Sequence, residues 1–353
     1  MTPEQLKAVT IRHQVFLERL KTGKVRDVDK ALDECQVRLI SILKQLEKDT
    51  LSDLTRKEFE DLARQLYTAE SKIMNKEVTK FDDELIDFAG YELEFEARAI
   101  ENSIRNISLT LPKATKVFNS ALRKPAYTNG DLLRPFLDGL STAQTTATNR
   151  MLNRAYTEGW TVDEAVRALR GSKAQNYKDG ITALKRRQAE AVVRTSLQSV
   201  SAEARFMTWA ANSDVINGYE WIATLDSRTT QQCRSLDGEV FPLGKGPRPP
   251  IHVNCRSTTV PDFDDGLDFL DKGATRSSVN GPVDAGQSYY EWLQKQPKAF
   301  QNEALGAERA KLFRDGGLSV ERFRALQLDK TFAPLTLEEM RNLEPVAFER
   351  AGL

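Results

Sequence analysis

The chain of 353 residues carries 51 basic and 51 acidic side chains, so its formal net charge is zero, whereas a dedicated nucleic-acid binder normally shows a basic excess. Hydrophobic residues make up 40% and charged residues 29%, a mixture that suits exposed amphipathic helices better than one large core. No apolar run of about 18 residues is present, which argues against a transmembrane helix. The first residues lack the apolar stretch and cleavage site of a signal peptide. The cysteine count of three is odd and makes no disulfide framework, so folding in cytoplasm is expected.

At roughly 100–200 residues per domain, the length allows about two domains. Leu6, Val9, His13, Phe16 and Leu20 recur at spacings of three and four, which predicts a helix over residues 3–21. A Lys-Thr-Gly break follows Leu20. Val28, Leu32, Cys35, Leu39, Ile42 and Leu46 then predict a second helix. Both stripes are narrow, as in antiparallel helix pairs or a coiled coil. His13 and Cys35 lie on these stripes and read as a core histidine and a small apolar residue, with a metal role as the lesser alternative. Thr55 with Glu58 forms a capping box for a third helix that buries Phe59, Leu62 and Leu66. Between Asp82 and Glu96 stand seven acidic residues and no basic one. That run reads as a solvated helix face, or else as a patch that docks on a basic partner.

Pro112 and the stretch Lys124–Asp131 interrupt the helices. Asp131 is the expected cap of a helix running to about Glu158. Gly159 ends that helix, Thr161 and Glu164 box a short one, and Gly171 stops it. These glycines lack the spacing of a phosphate loop. A helix follows from about Asp179 to Asn212, with Val193, Leu197, Val200, Ala204 and Met207 on one stripe. Lys185, Arg186 and Arg187 read as exposed helix charge, phosphate contact being the alternative.

Tyr219–Pro261 differs from everything before it. Tyr219, Trp221, Ala223 and Leu225 alternate with Glu220, Ile222 and Thr224 and predict a strand. Asp226 opens a capped turn into a short helix. Leu236–Glu239 suits a tight turn, Val240-Phe241 a second strand, and Ser257–Val260 a third. Pro247, Pro249 and Pro250 hold the intervening chain extended. A small antiparallel sheet beside long helices follows, so the fold class is mainly α with a small α+β module. The expected layout is an N-terminal helical region (1–178), a central module (179–262), a linker (263–287) rich in Gly and Asp, and a helical tail (288–353). In the tail, Tyr289, Trp292, Phe300, Leu305, Leu312, Phe313 and Phe323 suit a small core, and Thr336 caps a last helix to Leu343.

Cys233, His252 and Cys255 form the one metal-ligand pattern in the chain. Zinc takes such sulfur and nitrogen donors, four in number. The fourth donor is open among Asp226, Asp237 and water. A packed turn with two neighbouring thiols is the alternative without metal. A Cys–His pair with a nearby Asp also has the make-up of a nucleophile, base and orienter, which keeps a zinc- or cysteine-dependent hydrolase, or a delivered effector, as the second function.

The blocks Asp226–Thr229, Cys233, Asp237-Gly238 and Pro249–Arg256 occur in an order that resembles the Mu F-like minor head, or head morphogenesis, proteins of tailed bacteriophages. The likeness extends upstream to Val193-Arg194-Thr195 and downstream to Trp292-Leu293, Gln296-Pro297, Leu305-Gly306 and Arg309. It implies a virion component present in few copies, associated with the portal inside the procapsid, near major capsid or scaffold proteins, and in some phages ejected with the DNA. It implies no shared catalytic activity and no membrane in the virion state. Weak DNA contact and self-association complete the expected partners. Related domains beside toxin domains are the source of the effector reading. Ser196 departs from the family, which often has an acidic residue there.

Overall fold

The structure, a computed structural model, describes residues 3–104, 107–125, 132–263 and 275–353. It is mainly α with a small antiparallel sheet, as the sequence predicts. Helix α1 (Pro3–Leu43) runs without interruption through the expected break. An interior glycine costs a helix only about 1 kcal/mol, and Lys21 is held in place there. Its ammonium donates to Glu18 at 2.6 Å and to Gln198 at 2.5 Å while the side chain is almost wholly buried. Helix α2 (Arg56–Glu101) starts at the predicted Thr55–Glu58 capping box. It returns antiparallel to α1, as the pairs Lys24–Glu84 and His13–Glu92 show.

The short helix α3 (Ala114–Arg123) precedes α4 (Leu133–Glu158) and α5 (Val162–Arg170). Gly159, the Thr161–Glu164 box and Gly171 act as predicted. At φ +90°, Gly171 also leaves room for Gly180, whose amide would lie 2.9 Å from any Cβ there. The Asp131 cap lies outside the described residues. Helix α6 (Ile181–Ala211) then passes through the middle, touching α1 to α5. From Val192 to Trp209 nearly every side chain is buried, not the single stripe expected. Small hydroxyl residues make this feasible, because they admit neighbours closely and return their protons to the preceding turn: Ser196 to Val192 O, Ser199 to Thr195 O, Thr208 to Ala204 O.

Buried polar groups occupy positions that hydrophobic patterning cannot register. Phe16, on the predicted α1 stripe, is 46% exposed, while Lys7, Thr10, Gln14 and Lys21 are buried. The acidic run is likewise neither wholly solvated nor wholly a docking patch. Glu92 pairs with His13 and accepts from Ser201, and Glu96 accepts from Arg205 and Trp209, all inside the bundle. Of the basic trio, Lys185 is buried against Glu70 and Thr148, and Arg186 pairs with Asp29 and Asp33. Only Arg187 keeps the exposed character expected.

The sheet has the order β2-β1-β3, all antiparallel, with β1 (Ile216–Ile222) between β2 (Val240–Pro242) and β3 (Thr258–Phe263). Helix α7 (Gln231–Leu236) lies between β1 and β2 in the chain. The segment expected as a loose linker contains a hairpin, β4 (Thr275–Ser278) with β5 (Gly281–Asp284), while 264–274 lies outside the described residues. Arg276 on that hairpin is buried against Asp237, so the hairpin is docked on the module. Short helices α8 to α13 follow: Tyr289–Gln294, Lys298–Leu305, Ala307–Asp315, Val320–Ala325, Leu337–Leu343 and Pro345–Ala351. The predicted aromatic core is present, and Thr336 caps α12, but α13 follows it and adds Phe348 to that core.

Glu70 and Lys185 form an ion pair with both side chains almost fully buried. Removing one partner strands the other charge. Glu70→Ala is expected to cost about 3–5 kcal/mol, whereas Glu70→Leu with Lys185→Met restores most of it. Urea unfolding of the two variants measures the difference.

Candidate functional site

The central module is built around charges that the sheet and turns bring inward. Asp237 is fully buried. Its carboxylate accepts from Ala223 N at 2.6 Å, from both terminal nitrogens of Arg276 at 2.9 Å, and from Tyr289 N at 2.6 Å. One side chain from a tight turn thus ties the end of β1, the β4–β5 hairpin and the start of α8. Arg276 also donates to Ala223 O and Gln287 O. In the sequence Arg276 falls in the expected linker, and its only signal is one of two cations, with Lys272, in a stretch dominated by Asp and Gly.

Asp226 takes a bidentate grip from Arg256 and accepts from Arg228 N and Thr229 Oγ1. Burial pushes its carboxyl up, yet the Arg256 hydrogen bonds and charge hold it below the usual range. The structure therefore places Asp226 in an ion pair, not beside His252. Helix α7 clamps the C-terminal helices through side chains: Gln231 donates to Gln327 O and Leu335 O, Gln232 to Phe332 O, and Arg234 to Ala304 O. The C-terminal helices are fastened to the module, where the sequence suggested a tether.

Three of the predicted ligands do converge. Cys233 Sγ lies 3.1 Å from His252 Nε2 and 3.7 Å from Cys255 Sγ, and all three donor atoms lie within 4.8 Å of one another. Cys233 comes from α7, whose first turn is capped by Thr230. His252 and Cys255 come from a knuckle in which Asn254 adopts φ +60° and donates its amide to Thr195 on α6. His252 Nδ1 bonds Val253 O at 2.9 Å, which leaves Nε2 facing the sulfurs. Trp221, Ala223, Leu236 and Ile251 pack around the thiols. Among the described residues no carboxylate joins this group.

The electrostatics follow from this crowding. Burial and the neighbouring Cys255 push the Cys233 thiol up. Burial would also push Cys255 up, but hydrogen bonds from Cys233 and His252 outweigh it and hold its thiol below the ordinary value. Burial works against a charged His252, yet the Cys255 sulfur raises it on balance. Cys35 is different: burial raises its thiol to about 12, outweighing the charge of Lys185. His13 is stacked on Phe95 and bonded to Glu92. Both behave as core residues.

His252 and Cys255 line a cavity of about 600 Å³, together with Glu18, Lys21, Arg194 and Arg228. Cys233 lies behind them. Arg194 is paired with Glu190 and Glu18. Ser196 is buried and bonded to its own helix.

Residues 148–260 match the family model described as Phage Mu protein F like protein. The match spans the C-terminal part of α4, the whole of α5 and α6, and the module as far as the start of β3. Neither a curated protein nor a solved structure matches the chain.

Two outcomes follow from the buried carboxylates. Asp237→Ala leaves Arg276 uncompensated and Tyr289 N without its acceptor, at an expected cost of about 3–5 kcal/mol; limited proteolysis should then cut first in the β4–β5 hairpin. Because the carboxyl of Asp226 is depressed in the fold, its contribution is complete above the unfolded value of about 3.9 and is lost as pH falls through the lower folded value. The stability difference between the natural chain and Asp226→Asn should be constant above about pH 5 and shrink on acidification. Urea titrations across that range read it directly.

Proposed function

From the premise that the chain belongs to the Mu F-like family over residues 148–260, we propose that it is a structural and assembly component of a tailed-phage head. In this reading it sits inside the procapsid against the portal. The observation that carries the reading is the match itself, which covers the central helix and the module built on it. The partners proposed are the portal first, and major capsid or scaffold proteins around it.

The helical body supports a docking role. Phe16 on α1 and Tyr91 on α2 lie side by side, with ring centroids 6.0 Å apart, and are 46% and 43% exposed. Next to them on α2 stand the exposed carboxylates Asp83, Asp87 and Glu94. Aromatic groups rimmed by charge are the make-up of a protein-binding patch. Exit from the head with the DNA is part of the same proposal.

Co-purification with the portal from procapsids and from mature heads tests it. Association in either is expected, and its absence from both rejects the reading. Tyr91→Ser should weaken portal binding by roughly tenfold while changing stability by less than about 0.5 kcal/mol, because the ring is already half exposed.

A further inference from the structure

We propose that Cys233, His252 and Cys255 hold one zinc ion through three protein bonds, with the fourth coordination position open to the adjoining cavity. The distances fit such an ion. Two zinc–sulfur bonds of about 2.3 Å at tetrahedral angles set their sulfurs about 3.8 Å apart, and Cys233 Sγ and Cys255 Sγ are 3.7 Å apart. The sulfur–nitrogen edge of that tetrahedron is about 3.6 Å, so the 3.1 Å contact from Cys233 to His252 needs only a small rotation. Two thiolates and an imidazole select zinc over magnesium or calcium. Two thiolates also neutralise a divalent ion, which removes the penalty of burying a net charge beside Trp221 and Ile251.

The supporting shell is already fixed. His252 Nδ1 is oriented by Val253 O, which reserves Nε2 for the metal. The knuckle carrying His252 and Cys255 is pinned to α6 by Thr195, and Cys233 is set by the first turn of α7. Neither carboxylate considered as a fourth ligand is available: Asp226 is gripped by Arg256, and Asp237 by Arg276 and two backbone amides. Both lie outside the donor group. His252 and Cys255 line the 600 Å³ cavity and Cys233 does not, so the fourth position is assigned to the cavity side of the cluster. That position takes an exchangeable oxygen donor, water in the isolated chain.

Metal content is the primary test, on full-length protein prepared without chelator. About one zinc per chain is expected, lost in Cys233→Ser and in Cys255→Ser and kept in Asp226→Asn. Protein with no bound metal, whether its thiols are free or joined to each other, overturns the proposal. A folded Asp226→Asn that loses its zinc overturns the open position. Should the cysteine variants fail to fold, cobalt substitution of the natural chain decides. Thiolate-to-cobalt charge transfer with tetrahedral d–d bands is expected, and added azide should shift those bands. Absence of the charge-transfer band removes the thiolate ligands, and bands indifferent to azide mean a closed site. These measurements use the isolated chain, so their result is independent of portal association.

Discussion

The carboxylate of Asp237 is the constraint on which the module depends. It is completely enclosed, and a charge so placed persists only if every lone pair is used. Ala223 N, Arg276 and Tyr289 N use them. These partners come from three separate chain segments, so satisfying one side chain fixes where a strand ends, where a hairpin docks and where the C-terminal helices begin. Without this pairing the burial of Arg276 would be a liability. With it, the β4–β5 hairpin is held against the module.

The helical body is organised by the same rule repeated at three levels. Glu70–Lys185–Thr148, His13–Glu92–Ser201 and Arg205–Glu96–Trp209 each join α2 to α6 or to both α6 and another helix. Apolar contacts between long helices tolerate a slip of one turn, because the stripe repeats. A buried charge and its partner do not, because a slip leaves both unsatisfied. Stability comes mainly from the leucine, valine and phenylalanine layers between the levels, while the polar levels specify register.

Much of this was legible because it is local. Capping boxes at Thr55, Thr161 and Thr336, the helix ends at Gly159 and Gly171, and the three strands of the sheet each depend on residues a few positions apart. The convergence of Cys233, His252 and Cys255 was legible for a related reason: sulfur and imidazole are scarce in this chain, so their pattern stands out. What patterning missed is long-range pairing. Lys7, Lys21, Lys185 and Arg276 look like surface charge in sequence, and each is buried only because a partner far along the chain meets it. Hydrophobic periodicity assigns polar residues to solvent, so the stretch of α6 from Val192 to Trp209, buried nearly all round with serine and threonine, reads as amphipathic. The Lys21–Gly23 break failed on the same ground, since tertiary contacts outweigh a single glycine.

Further links join the bundle to the module. Lys7 on α1 pairs with Glu220 on β1, Gln198 on α6 donates to Ser257 O, and Thr195 holds Asn254. The module is therefore stapled to the first turns of α1 and to the middle of α6, and α7 staples it in turn to the C-terminal helices through Gln231, Gln232 and Arg234. Each staple ends on a buried or half-buried acceptor, so swinging one body away from another exposes several unsatisfied groups at once. Of these staples, the bond from Asn254 to Thr195 fixes the knuckle that carries His252 and Cys255, and α7, which carries Cys233, is fixed by its bonds to the C-terminal helices.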